Sequence, residues 1–178
     1  MPLNRAVPGA EEPFDLSWQL FGELCRALAV KVGREFDPDI IVGIAAAGVI
    51  PGAVIAAMLR RDFFALKISR RRDDRVVRER PEVLSAAPPQ AEGQRVLLVD
   101  EICDTGETLR LALAALRSVG PAEVRTATSL VRKGGHRPDY YALETGGVVI
   151  FPWDREVLED GRLVVHPEYR DILQPDAE

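Results

Sequence analysis

Two adjacent carboxylates, Asp100 and Glu101, directly follow an apolar run, Val96 to Val99. Cys103, Asp104, Thr105, Gly106, Glu107 and Thr108 come next, and a helical pattern then begins. A continuous apolar run of this kind reads as a strand buried on both faces of a parallel sheet. The stretch from Arg95 to Leu109 is therefore a strand, a short polar loop and a helix start. In open α/β sheets such a loop lies at the carboxyl end of a strand, where ligands bind. Backbone N–H groups of Asp104 to Thr108 beside a helix N-terminus suit a phosphate. Asp100 and Glu101 accept hydrogen bonds, as the hydroxyls of a sugar require. A ribose phosphate fits both ends. The plainer alternative is an acidic cap, with Asp104 and Thr105 only starting a helix. No Lys follows Gly106 and no G-x-G-x-x-G occurs, so neither a P-loop nor a dinucleotide fingerprint is present.

The elements that must position these groups alternate between strand and helix. Ser17 is the expected N-cap of a first helix reaching about Gly33, with Leu20, Phe21, Leu24, Cys25, Leu28 and Val32 at helical spacing. Ile40 to Ile44 reads as a short buried strand, Ala45 to Gly48 as a small-residue loop, and Pro51 to Arg60 as a second helix. Phe63 to Ile68 is the next strand. After the central stretch, a helix ends at Gly120-Pro121 and Glu123 to Leu130 forms a strand. Arg132-Lys133-Gly134-Gly135 is a basic turn. Tyr140 to Leu143, Val148 to Phe151 and Leu163 to Val165 read as short strands. This alternation predicts an α/β fold with a parallel sheet.

Composition bounds the rest. The 178 residues are 47% hydrophobic, enough for one ordinary domain, taken as 14–178 after a loosely ordered segment 1–13. The net charge of −5 argues against nucleic acid as a partner. Cys25 and Cys103 follow no metal spacing and read as the reduced thiols of a cytoplasmic protein. His136 and His166 are the only histidines, too few for a histidine metal site. Ile40 to Leu59 carries no charge, but Gly43, Gly48, Pro51 and Gly52 break it, so it reads as strand, loop and helix rather than a membrane span. Ser69 to Gln94 holds Arg70, Arg71, Arg72, Arg75, Arg78 and Arg80. It is either a solvated loop or a flap whose arginines meet phosphates on closing.

The central stretch resembles the 5-phosphoribosyl pyrophosphate (PRPP) motif of type I phosphoribosyltransferases: four apolar residues, two acidic, two more, then D-T-G-x-T. Around it, Ile41-Val42-Gly43-Ile44 and its loop stand where the family has its pyrophosphate loop. Arg132 and Lys133 with Phe151-Pro152-Trp153-Asp154 resemble the base pocket of bacterial xanthine–guanine and archaeal purine enzymes. The resemblance spans roughly Ser17 to Asp154. It implies a Rossmann-like parallel sheet flanked by helices, with a small hood and a flexible loop at the Arg-rich segment. It also implies transfer of phosphoribose from PRPP to a 6-oxopurine (guanine, xanthine or hypoxanthine), in purine salvage.

By this resemblance Asp100 and Glu101 hold the ribose hydroxyls and Mg²⁺, and Cys103, Thr105, Gly106, Glu107 and Thr108 surround the 5′-phosphate. Ala46, Ala47 and Gly48 receive pyrophosphate. Arg132, Lys133 and Trp153 meet the purine, and Asp104 accepts a proton near purine N7 as the catalytic residue. The plainer alternatives are a basic turn for Arg132 and Lys133 and a packing anchor for Trp153. Family members are commonly dimers or tetramers, and no membrane partner is implied.

Two departures stand out. The family's loop usually reads Ala-Arg-Gly-Gly or Ser-Arg-Gly-Gly, whereas this chain has Ala45-Ala46-Ala47-Gly48. Ser69 is followed by Arg70 rather than Tyr. The family's loop often holds a non-proline cis peptide before the basic residue, and the matching bond is Ala45–Ala46. The missing arginine leaves a second reading open, a non-catalytic PRPP or nucleotide sensor. A third is the same chemistry on another base, such as a pyrimidine.

Overall fold

Ser17 starts the first helix as its type predicts, its Oγ accepting the Leu20 N–H at 3.1 Å. In the computed structural model, which describes residues 12–69, 71–72, 75–76 and 79–174, a two-residue strand β1, Phe14–Asp15, precedes this helix, α1, Trp18–Glu35. Then come β2, Ile40–Ala45; α2, Val49–Leu59; and β3, Asp62–Ser69. The Arg-rich segment contributes three short strands, β4, Arg71–Arg72, β5, Arg75–Val76, and β6, Glu82–Val83. The chain continues through β7, Arg95–Cys103; α3, Glu107–Arg117; β8, Glu123–Arg132; and β9, Tyr140–Thr145. It finishes with β10, Val149–Ile150, β11, Glu156–Glu159, β12, Arg162–Val165, and one helical turn, α4, Arg170–Leu173. Most of the expected loosely ordered segment, and Arg70 and Arg78 of the Arg-rich segment, lie outside the described residues.

Two compact units result. Glu23–Glu144 carries the six-stranded sheet, in the order β6-β3-β2-β7-β8-β9. The pairs β2–β3, β2–β7 and β7–β8 are parallel and β6 is antiparallel to β3, so the expected α/β parallel sheet is present. Val42, Ile44, Leu66, Val96 and Leu98 form the core with Leu109, Ala112 and Leu116 of α3. Ile41 and Leu97, which alternate with them and point to the other face, are also fully buried. The helix α2 packs on β2 and β7. Its start comes close to β2 because both sides lack side chains: a Cβ on Gly43 would stand 2.9 Å from the Gly48 carbonyl oxygen.

The other unit joins the two chain ends, up to Gly22 and from Thr145 on. There β1 pairs in parallel with β10, and β11 and β12 form an antiparallel hairpin. Arg155 pairs with Asp15, and the Tyr169 hydroxyl donates to Asp154 Oδ2 at 2.9 Å.

Several expected boundaries move. The helix α1 continues past Gly33 because Val32 and Phe36 extend its buried stripe. The strand expected at Val148 to Phe151 shortens to β10, whose partner is two residues long. The uncharged stretch from Ile40 to Leu59 divides into β2, a loop and α2. Among the described residues no helix is long and apolar enough to cross a membrane.

Candidate functional site

The strand β7 is longer than its apolar run. It was expected to stop at Val99, yet its ladder with β8 continues through Asp100↔Thr128, Ile102↔Leu130 and Cys103↔Val131. The acidic pair therefore stands on a strand rather than in a loop, with backbone direction fixed by the sheet. Asp100 is 7% exposed and Glu101 is half-buried. Asp100 Oδ1 accepts the Glu101 N–H at 3.0 Å. Burial and the adjacent Glu101 carboxylate push the Asp100 carboxyl well above the usual carboxylate range.

The phosphate-type loop is correspondingly shorter than expected. It is Asp104 to Gly106, and Glu107 and Thr108 already belong to the first turn of α3. Gly106 is the N-cap residue with φ +75°, a left-handed conformation that glycine adopts without cost. Thr105 Oγ1 accepts the Glu107 N–H at 3.3 Å, so Thr105 does hold the helix start. Asp104 and Thr105 are exposed. Cys103 is 3% exposed and part of the core, and its thiol is hydrogen-bonded by the Gly106 backbone of the loop. Burial, then the Asp104 carboxylate, push its thiol up, and burial pushes Cys25 up to about 12. Both free thiols are held protonated, unsuited to nucleophilic work.

The second loop meets the acidic pair from the neighbouring strand. Ala45 ends β2, Ala46 is exposed, Ala47 is half-buried and Gly48 is buried before α2. The Val49 and Ile50 amides donate back to the Ala46 and Ala47 carbonyls at 3.2 and 3.1 Å. The Ala45–Ala46 bond is cis, as the resemblance implies. A Cβ on Gly48 would lie 2.7 Å from Asp100 Oδ1, so the loop and the carboxylate are in direct contact.

The base-side candidates fall into two places. Arg132 is the last residue of β8, not part of the turn, and is half-buried; Lys133 follows it, exposed. Trp153 lies in the unit of the chain ends, half-buried in an aromatic cluster. Its ring stacks on Phe151 at 4.8 Å and 19°, and meets Phe21 edge-on at 5.0 Å and Trp18 at 5.9 Å.

Three features escape a reading of the sequence. Lys67, exposed on β3, is the register partner of Ala45. The His136 N–H donates to the Asp104 carbonyl at 2.7 Å, joining the turn after β8 to the loop after β7. The cluster around Trp153 recruits Trp18 and Phe21 from the start of α1. Only the parallel register of β2 and β3 could have found Lys67; nothing local marks the other two.

A buried and a half-buried carboxylate at a strand end, a helix-start loop one step on and a glycine-lined loop beside them are an arrangement that suits a phosphorylated sugar. The phosphoribosyl transferase domain model matches residues 16–160, and the chain belongs to that family. It is 34% identical over 159 residues to the hypoxanthine/guanine phosphoribosyltransferase of Methanopyrus kandleri, covering 83% of this chain and 82% of that one. It is also 33% identical over 138 residues to the adenine phosphoribosyltransferase of Saccharopolyspora erythraea, covering 71% and 75%. Among solved structures, the purine phosphoribosyltransferase of Pyrococcus horikoshii superposes with a TM-score of 0.73 at 25% identity, over 85% of this chain and all of that one.

Proposed function

We propose that this chain transfers the 5-phosphoribosyl group of PRPP to a 6-oxopurine, releasing pyrophosphate and a nucleoside monophosphate. The observation that carries the reading is the contact between Gly48 and Asp100, which brings the acidic pair and the 45–48 loop together one step before the helix-start loop. Asp100 and Glu101 accept the ribose hydroxyls, and the amides of Asp104 to Thr108 hold the 5′-phosphate. The 45–48 loop receives the leaving pyrophosphate. Asp104, exposed on its loop, accepts the N7 proton as the base attacks C1′. Arg132, Lys133 and Trp153 are the candidates for binding the purine, with stacking worth roughly 1–3 kcal/mol.

The donor set also fits Mg²⁺, which takes one or two carboxylates and completes its shell with water and substrate oxygens. Asp100 and Glu101 would hold it from the protein side, and the bound ion would offset charge on the departing pyrophosphate. A cytoplasmic homodimer or homotetramer is the assembly proposed with this reading, to be checked by light scattering.

A sensor is the second reading, and the exposed Ala46 favours it, because a methyl group cannot attract a leaving pyrophosphate. Incubation with PRPP, Mg²⁺ and a panel of guanine, xanthine, hypoxanthine, adenine and orotate decides between them. Pyrophosphate release with a 6-oxopurine is expected. Release with adenine or orotate alone reassigns the base, and no release with any base makes the chain a sensor.

A further inference from the structure

The turn that follows β8 is bonded to the loop that follows β7, and three observations describe the joint. The His136 N–H donates to the Asp104 carbonyl at 2.7 Å. A Cβ on Gly135 would stand 2.6 Å from that same carbonyl oxygen, so the turn reaches it only because residue 135 has no side chain. On the other side of the loop, a Cβ on Gly106 would stand 2.6 Å from Cγ and Cδ2 of His136, so the imidazole covers the bare Cα of the helix cap. The joint thus grips both ends of Asp104 to Gly106.

Core packing does not account for the grip. His136 and Asp104 are exposed, and the ring removes little apolar surface from water. What the joint fixes is direction. The β7–β8 ladder ends at the Cys103 pair, and beyond it the backbone has no strand partner to orient it. The His136 N–H holds the Asp104 peptide, and the ring limits how the left-handed Gly106 can pivot. The residues held in this way are among those whose amides the proposed function assigns to the 5′-phosphate. The Gly135 N–H also closes on the Arg132 carbonyl at 3.0 Å, so the joint is continuous with the end of β8.

We infer that Gly135 and His136 are positioning residues for the 5′-phosphate, acting through the backbone of Asp104 to Gly106 and touching no ligand themselves. This rests on the reading of that loop as the phosphate site but not on which base is used. Gly135→Ala drives a methyl group into the Asp104 carbonyl and breaks the bond. His136→Ala keeps the N–H but uncovers Gly106, and His136→Phe restores a flat ring.

Calorimetry with Mg²⁺·PRPP, and separately with pyrophosphate alone, tests the inference on the full chain. Pyrophosphate addresses the 45–48 loop and serves as the internal control. Gly135→Ala should weaken PRPP roughly a hundredfold, the scale of an ångström of misplacement, with pyrophosphate unchanged. His136→Ala should weaken PRPP less, and His136→Phe should recover wild-type affinity. PRPP affinity unchanged in both His136→Ala and Gly135→Ala overturns the inference, as does an equal loss of both ligands. If Gly135→Ala does not fold, equal PRPP affinity in the wild type, His136→Ala and His136→Phe overturns it alone. A wild type that binds pyrophosphate as tightly as PRPP removes the phosphate-loop reading itself, and the inference with it.

Discussion

Gly48 lies against the Asp100 carboxylate so closely that a Cβ there would be 2.7 Å from Oδ1, 2.8 Å from the Asp100 Cα and 2.7 Å from the Ile44 carbonyl oxygen. Two of these three atoms are backbone in β2 and β7 and cannot swing aside. Gly48→Ala should therefore cost about 1–3 kcal/mol of stability, the usual cost of overpacking. The carboxylate is the atom group most free to yield, so Mg²⁺·PRPP affinity should fall about tenfold or more in the folded variant. Thermal melts and calorimetry measure the two effects. A folded Gly48→Ala that binds PRPP normally would show that Asp100 does not touch the ligand.

Trp153 is the hub of four aromatic rings, and that shapes how its role is tested. Trp153→Ala should cost about 2–3 kcal/mol, below the 3–5 kcal/mol of a fully buried large aromatic, because the ring is half-buried. Trp153→Phe keeps most of the packing and should melt near the wild type. Adding GMP to the wild type should change tryptophan emission, and Trp153→Phe should lose that change. Trp18 lies 5.9 Å away and remains as a reporter. An emission change that persists in Trp153→Phe would mean that Trp153 is packing only.

At the other end of β7, Arg95 binds Asp39 through Nη2 at 3.0 Å, Nε at 3.3 Å and its backbone N–H at 2.8 Å. The side-chain hydrogen bond from Arg95 is the largest cause holding the Asp39 carboxyl below its usual value. A carboxyl depressed in the folded state contributes stability that is fully present above its unfolded value, near pH 4, and lost as pH falls through its folded value. Asp39→Asn should thus melt lower than the wild type at pH 7. The gap should hold down to about pH 4 and close below it. The pair is partly solvent-exposed, so the gap should be small and should shrink in salt. A gap that stays constant down to pH 2 would assign the effect to something other than this ionisation.

What was legible in the sequence follows from where the determining contacts lie. The helix α1, its Ser17 cap and the core run Val96 to Val99 are local patterns, and they appear where periodicity places them. The acidic pair and the small-residue loop were legible as a motif, as was the cis Ala45–Ala46 bond through the family resemblance. The end of β7 was not, because Asp100 and Glu101 interrupt the apolar run and the four residues from Asp100 to Cys103 continue the strand only through the β8 ladder. The strand β1 was missed for the same reason: two residues carry no period, and their partners Val149 and Ile150 lie at the far end of the chain. The joint between His136 and Asp104 is a backbone bond, which leaves no trace in side-chain type beyond Gly135 and Gly106.

The altered 45–48 loop yields the prediction with most at stake. Arg70, Arg71 and Arg72, at the start of the Arg-rich segment, are the nearest candidates in sequence for the positive charge that Ala46 lacks. The sheet register supplies another, since Lys67 of β3 pairs with Ala45 at the root of the loop and is exposed. Lys67 needs no closing flap, so it would act on the resting complex. Lys67→Ala should then weaken pyrophosphate binding by about 1.5–3 kcal/mol, the worth of one charge-assisted hydrogen bond, or roughly ten- to a hundredfold. On the flap reading of the Arg-rich segment, Arg70→Ala/Arg71→Ala/Arg72→Ala should leave that affinity alone and lower turnover, because a flap contact would form only on closure, whereas a solvated loop predicts no change in either. Ala46→Arg places the family's charge on an exposed position where it costs little stability, and should rescue Lys67→Ala. Pyrophosphate calorimetry and PRPP turnover on the same variants separate the two sources. If Lys67→Ala binds pyrophosphate normally, the strand does not supply the charge. If the wild type turns over no base but Ala46→Arg does, the chain keeps the family's fold and ligand while lacking its leaving-group chemistry, and the sensor reading replaces the enzyme.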